Sequence, residues 1–135
     1  MENKKSLYYI SEPTCISFSG GRTSAYMLYK CLEAHDGKLP DYAIVTFANT
    51  GKEMPETLDF VRDVGEKWGV DIVWLERFAR EATKEEKIGR TKYKYETKVV
   101  TYETASRKGE PFDALIKARR YAPNPVARFC TSDLK

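Results

Sequence analysis

Apolar positions along this chain alternate between short continuous runs and longer periodic stretches. Thr14–Ser19 is the first run, a β-prone segment whose nearly unbroken apolar character suits a buried parallel strand. From Thr23 to about Ala34 the pattern changes to helical spacing, with Ala25, Leu28, Tyr29 and Leu32 on one face, and Gly37 is placed to close that helix. A second buried strand is predicted over Tyr42–Ala48. It is followed by a helix that begins at Pro55, presents Leu58, Val61, Val64 or Gly65, and Trp68, and stops at Gly69. Asp71–Leu75 reads as a third strand. Strand, helix, strand, helix, strand predicts right-handed crossovers and an α/β fold, a three-layer Rossmann-like parallel sheet with helices on both faces.

The flanking segments are less regular. Residues 1–13 read as a lead-in, with Tyr8-Tyr9-Ile10 as a short strand and Pro13 as its stop. Residues 77–98 lose the apolar rhythm and read as a solvated helix followed by a loop, or as a lid over a charged ligand. Tyr95–Thr104 is a further strand, and Pro111 opens a helix carrying Phe112, Leu115, Ile116 and Arg119. Pro123 and Pro125 exclude a helix interior between them.

Composition narrows the picture. At 135 residues the chain is expected to form a single domain spanning 1–135, long enough to bury a core. The formal net charge is +3, and residues 77–98 hold eight cations against four carboxylates, so the basic excess is local. Tyr93 and Tyr95 interleave with it, which suits base stacking, but a nucleic-acid partner is not the expectation. No apolar run is long enough to cross a bilayer, and no signal-like region follows the start, so a cytoplasmic protein without a membrane partner is expected. Cys15, Cys31 and Cys130 are odd in number and lack C-x-x-C spacing, which predicts neither disulfides nor a protein-held metal site. His35, the sole histidine, falls in a turn and reads as a surface residue.

The candidate chemistry sits where strands end. Ser17-Phe18-Ser19-Gly20-Gly21-Arg22-Thr23-Ser24 joins the first strand to the first helix. Its glycines permit a tight turn and close ligand approach. The N–H groups of the helix start favour an anion, and Ser19, Thr23, Ser24 and Arg22 add donors. This is either a phosphate cradle or an ordinary capped βα turn. It is not a Walker A loop, which requires a lysine absent here. Asn49-Thr50-Gly51-Lys52-Glu53 ends the second strand, where α/β sheets bind ligands; Thr50 and Glu53 could equally cap the next helix.

Ser19–Ser24 resembles the S-G-G-x-D-S loop of the PP-loop ATP pyrophosphatases, and most of all that of the phosphoadenosine phosphosulfate (PAPS) reductase family. Thr23 stands where many relatives carry Asp. Asn49-Thr50-Gly51 with Pro55-Glu56-Thr57 resembles that family's D-T-G-x-x-x-P-E-T segment, with Asn49 in place of Asp. Arg128, Cys130 and Lys135 resemble its R-x-C-x-x-x-x-K loop. The resemblance implies an adenine nucleotide, ATP or PAPS or adenylyl sulfate, with Mg²⁺ as a companion. It also implies either pyrophosphate release by attack at the α-phosphate or processing of a sulfonucleotide, in a transferase or oxidoreductase class.

Carried over by motif, Ser17, Ser19, Gly20, Gly21, Arg22, Thr23 and Ser24 would hold phosphates, and Asn49, Thr50, Gly51 and Glu53 would frame the nucleotide. Arg128 and Lys135 would contact a second anion. No catalytic residue is assigned; Cys130 is the candidate, as a nucleophile or as a small packing residue. The E-C-G-x-H segment of PAPS reductases is missing, as are the paired cysteines of iron–sulfur relatives, so no cluster is expected. Ending on the third motif, the chain reads as a minimal version, such as a phage or mobile element would carry, or as a truncated product. The alternative reading is a non-catalytic adenine-nucleotide-binding module or a subunit of a larger assembly. The second substrate is unspecified, and a homo-oligomer is left open.

Overall fold

A computed structural model describes residues 2–87 and 93–134. Its elements run β1 (Thr14–Ser17), α1 (Arg22–Ala34), β2 (Ala43–Ala48), α2 (Pro55–Trp68), β3 (Ile72–Glu81), β4 (Tyr93–Val100), α3 (Glu110–Arg119) and α4 (Phe129–Leu134). The fold is α/β, a mostly parallel four-stranded sheet of order β1-β2-β3-β4 flanked by helices in the Rossmann-like manner. β1 and β2 pair in parallel, Ile16 opposite Val45, whereas β3 and β4 are antiparallel, Ala79 opposite Tyr95.

The chain divides into two compact units, one of residues 1–47 and 54–73, the other of residues 48–53 and 74–135. In the first, Phe18, Leu28, Val45, Phe47, Leu58 and Val61 are fully buried. Helix α2 begins at Pro55 and ends on Gly69, whose left-handed backbone (φ 63°) places its N–H on the Gly65 carbonyl. That is the stop its glycine predicts.

Four expectations are corrected here. Helix α1 is capped by His35, and Gly37 acts two residues later, at φ 86°, donating its N–H to the Leu32 carbonyl at 2.7 Å. His35 is not a surface residue: it is 4% exposed, its Nε2 accepts the Ile10 N–H at 2.9 Å, and its ring stacks on Tyr9. The Tyr8–Ile10 segment it holds is irregular rather than a strand. β1 is not enclosed on both sides; it stands first in the strand order, and Thr14, Cys15 and Ser17 are exposed.

The second unit departs most from the sequence reading. Residues 77–98 hold no helix among the described positions: β3 runs on to Glu81 and Tyr93 already belongs to β4. Arg90 and Lys92, part of the basic run, lie outside the described residues. Alternation explains the hairpin. Ala79, Tyr93 and Tyr95 belong with a cluster formed by Leu115, Ala118, Phe129 and Leu134, while the intervening charged residues point away. The run conceals a period of two because its outward positions are Arg, Lys and Glu. Helix α4, in the closing stretch that carries Arg128 and Cys130, contributes Phe129 and Leu134 to that cluster.

Candidate functional site

In the first unit the chain leaves β1 at Ser17, buries Phe18, and turns through Ser19, Gly20 and Gly21 into α1. The turn is held by its own hydroxyls. Ser24 Oγ accepts the Ser19 N–H at 3.2 Å, lies 2.9 Å from Ser19 Oγ, and donates to the Gly21 carbonyl at 3.1 Å. Gly20 has φ 82°, and a Cβ there would stand 2.7 Å from Thr57 Cγ2 and 3.1 Å from Val61 Cγ2. The glycine loop thus rests on the threonine of Pro55-Glu56-Thr57, which gives the two motifs one steric reason to occur together.

Gly21 is the N-cap of α1 and makes no side-chain cap. The first turn of α1 carries no carboxylate, unlike α2 with Glu56 and α3 with Glu110 and Asp113. Arg22 and Thr23 are exposed on that turn. A helix start that is exposed at Arg22 and Thr23 and carries no acidic side chain is electrostatically suited to an anion.

In the second unit Asn49 is 1% exposed and Glu76 3% exposed. Asn49 Nδ2 donates to Glu76 Oε2 at 2.7 Å and to the Ser106 carbonyl at 2.9 Å, while Oδ1 accepts the Gly51 N–H at 3.1 Å. The Asn49 N–H donates to the Leu75 carbonyl at 2.8 Å. Glu76 also accepts the Ser106 N–H at 2.6 Å and the Ser106 hydroxyl at 2.8 Å. Both amide protons of Asn49 are therefore directed to this internal network.

Thr50 is buried, and its hydroxyl accepts the Lys52 N–H at 3.2 Å and reaches Glu53 at 3.4 Å. It does not cap α2, whose N-cap is Met54 without a side-chain hydrogen bond. Gly51, at φ 82°, passes so close to Gly109 that a Cβ would stand 2.7 Å from the Gly109 Cα. Lys52 reaches Asp113 at 3.8 Å and lies over the Phe112 ring.

Arg128 is exposed and donates from Nε to the Pro125 carbonyl at 3.3 Å. The backbone of Cys130 belongs to α4, while its side chain and all of Lys135 lie outside what the structure describes. Asp133 anchors this segment: Arg119 donates to its Oδ2 from Nη2 at 2.7 Å and from Nε at 3.1 Å, and Tyr95 Oη donates to the same oxygen at 3.0 Å. Arg119 also lies over the Tyr93 and Phe129 rings.

Sequence reasoning missed Glu76, Ser106, Gly109, Arg119 and Asp133. A glutamate directly following the apolar run Ile72-Val73-Trp74-Leu75, before Phe78, was the available signal for the first. Among the described residues no group of three or more His, Cys, Asp or Glu side chains could hold a metal ion, and no helix is long and apolar enough to cross a membrane.

A 62-residue stretch, 45% of this chain, is 42% identical to "Uncharacterized nin region protein ORF290" of Escherichia phage lambda, covering 20% of that protein's length. The expectation of a phage or mobile-element setting thus has a phage relative as its counterpart. No solved structure matches. The family model of the phosphoadenosine phosphosulfate reductase domain matches residues 13–127, from β1 through the segment preceding α4. The chain belongs to the phosphoadenosine phosphosulfate reductase domain family.

Proposed function

We propose that this chain binds an adenine nucleotide, ATP or a sulfonucleotide such as PAPS or adenylyl sulfate, and acts at its phosphate. The observation that carries the reading is the start of α1: a turn braced by Ser19 and Ser24, a glycine packed on Thr57, and a first helical turn without a carboxylate. Family membership points the same way, toward a nucleotide-related ligand. Ser17, Ser19, Gly20, Gly21, Thr23 and Ser24 cradle the phosphates, with Arg22 beside them, while Asn49, Thr50, Gly51 and Glu53 form the nucleotide loop. Arg128 and Lys135 take a second anion. Acting on ATP, the site would support attack at the α-phosphate with pyrophosphate leaving, catalysis that rests on positioning and charge stabilisation. With neutral residues at 23 and 49, Mg²⁺ would arrive on the nucleotide's own phosphates.

A second reading, a non-catalytic nucleotide-binding module or a subunit of a larger assembly, is favoured by one observation. The Asn49 amide is directed to Glu76 and Ser106, where relatives have a carboxylate available. Mg²⁺-dependent pyrophosphate release separates the two readings, since a pure binder shows none.

Thermal denaturation against ATP, adenylyl sulfate, PAPS and GTP, each with and without Mg²⁺, tests the binding itself. A ligand at a hundred times its Kd stabilises by about 2.7 kcal/mol, which is on the order of 10 °C for a domain of this size. Adenine nucleotides are expected to raise the midpoint and GTP to leave it unchanged. No shift with any nucleotide would overturn the reading.

A further inference from the structure

We propose that Glu76 is a positioning residue, the anchor that holds the Asn49–Glu53 loop and the Ser106–Gly109 segment as one binding element; its ligand-binding consequence rests on the nucleotide reading above. Three donors from two separate segments converge on this one buried carboxylate: Asn49 Nδ2, the Ser106 N–H and the Ser106 hydroxyl. Removing that carboxylate would leave three polar groups unpaired in a site with little access to water. The same arrangement brings Gly51 against Gly109: a Cβ on Gly51 would run into the Gly109 backbone, while one on Gly109 would meet the flexible end of Lys52. Residues 106–109 therefore belong to the site, although no motif marks them.

The anchor also accounts for Asn49. A carboxylate at position 49 would stand about 2.7 Å from Glu76 and would also oppose the Ser106 carbonyl. Two such charges in a buried site repel strongly. The amide supplies donors to both oxygens, so the replacement of the family's Asp is the complement of Glu76. The loop consequently offers no carboxylate from position 49 to an incoming phosphate.

The test uses the full chain and two readouts. Hydrogen exchange is followed on peptides spanning 48–53 and 104–110 in the wild type, Ser106→Ala and Glu76→Gln, with the α1 peptide 22–34 as reference. A glutamine removes the charge that strengthens all three hydrogen bonds and replaces one acceptor oxygen with an amide donor, either against the Ser106 hydroxyl or against Asn49 and the Ser106 N–H. Both site peptides are therefore expected to exchange several-fold faster together in Glu76→Gln, with the reference unchanged. Ser106→Ala removes one hydrogen bond, gives a smaller change of the same pattern, and decides the matter should Glu76→Gln not fold. Unchanged exchange, or acceleration confined to 104–110, would overturn the anchor.

Where the wild type responds to nucleotide, Kd is measured well below the unfolding midpoint. Glu76→Gln is expected to weaken binding about tenfold, the equivalent of one charge-assisted hydrogen bond. Asn49→Asp is expected to weaken it at least as much, and by a several-fold smaller factor when Glu76→Gln is already present. An unchanged Kd in Glu76→Gln, or equal Asn49→Asp effects in the two backgrounds, would refute the positioning role. A wild type with no nucleotide response removes the functional reading alone, and hydrogen exchange still decides the anchor.

Discussion

Gly20 and Gly69 share a left-handed backbone but differ in their surroundings. At Gly69 (φ 63°) an added Cβ meets nothing within 4 Å, so Gly69→Ala carries only the conformational penalty, about 1 kcal/mol. At Gly20 (φ 82°) the same penalty combines with overlap against Thr57 and Val61, and overpacking adds roughly 1–3 kcal/mol. Gly20→Ala is therefore expected to lower stability by about 2–4 kcal/mol, as read by urea denaturation. It should also abolish any nucleotide-dependent midpoint shift that Gly69→Ala preserves. Equal costs at the two glycines would contradict the packing of the loop on Thr57.

Two segments are held in place by a few polar contacts. Helix α4 is tied to α3 and β4 through Asp133, whose side chain is 14% exposed against 21% for its partner Arg119. Burial opposes the Asp133 carboxylate, but hydrogen bonds from Arg119 and Tyr95 and the guanidinium charge outweigh it and hold the group below its ordinary value. A carboxyl depressed in the folded state contributes fully above its unfolded value, about 3.9, and loses that contribution as pH falls through the lower folded value. Asp133→Asn should accordingly flatten the stability profile below about pH 4. Asp133→Ala should cost on the order of 2–3 kcal/mol near neutrality, by leaving Arg119 partly buried and unpaired. At the other end of the chain, His35 Nε2 accepts the Ile10 N–H and Tyr42 Oη donates to the Ile10 carbonyl, each at 2.9 Å. His35→Ala should speed proteolytic cleavage within residues 4–9 with little change in the global midpoint. A cleavage rate equal to wild type would show that the histidine does not retain this segment.

For the whole molecule, charge bears on which partners are plausible. The formal net charge of +3 arises largely from residues 77–98, but several of those cations are engaged. Arg80 is bonded to Glu86 at 2.7 Å and reaches Glu96 at 3.4 Å; Arg77 lies over Tyr95 and Lys98 over Phe78. The tyrosines that suggested base stacking face the Leu115–Phe129 cluster. Oligonucleotides are thus expected to bind weakly. A tight association whose affinity falls steeply with salt, seen in fluorescence titrations from low to physiological ionic strength, would reverse that expectation.

The order of elements, the glycine turns and the family motifs were legible in the amino-acid order because each depends on local chain properties. Helical and strand periods, the left-handed freedom of Gly20 and Gly69, and the start of a helix at Pro55 require no knowledge of distant neighbours. What escaped that reading depends on which segments meet. The charged run became a hairpin because its inward positions found the α3 and α4 cluster. His35 was buried because a segment 25 residues away returned to it. Asn49 acquired its part from Glu76, 27 residues on, and from Ser106, 57 residues on. Burial and hydrogen-bond satisfaction are properties of the assembled surroundings. The amino-acid order determined where a glycine-rich strand-to-helix turn could form, and tertiary structure decided which polar residues hold the loop at the end of β2.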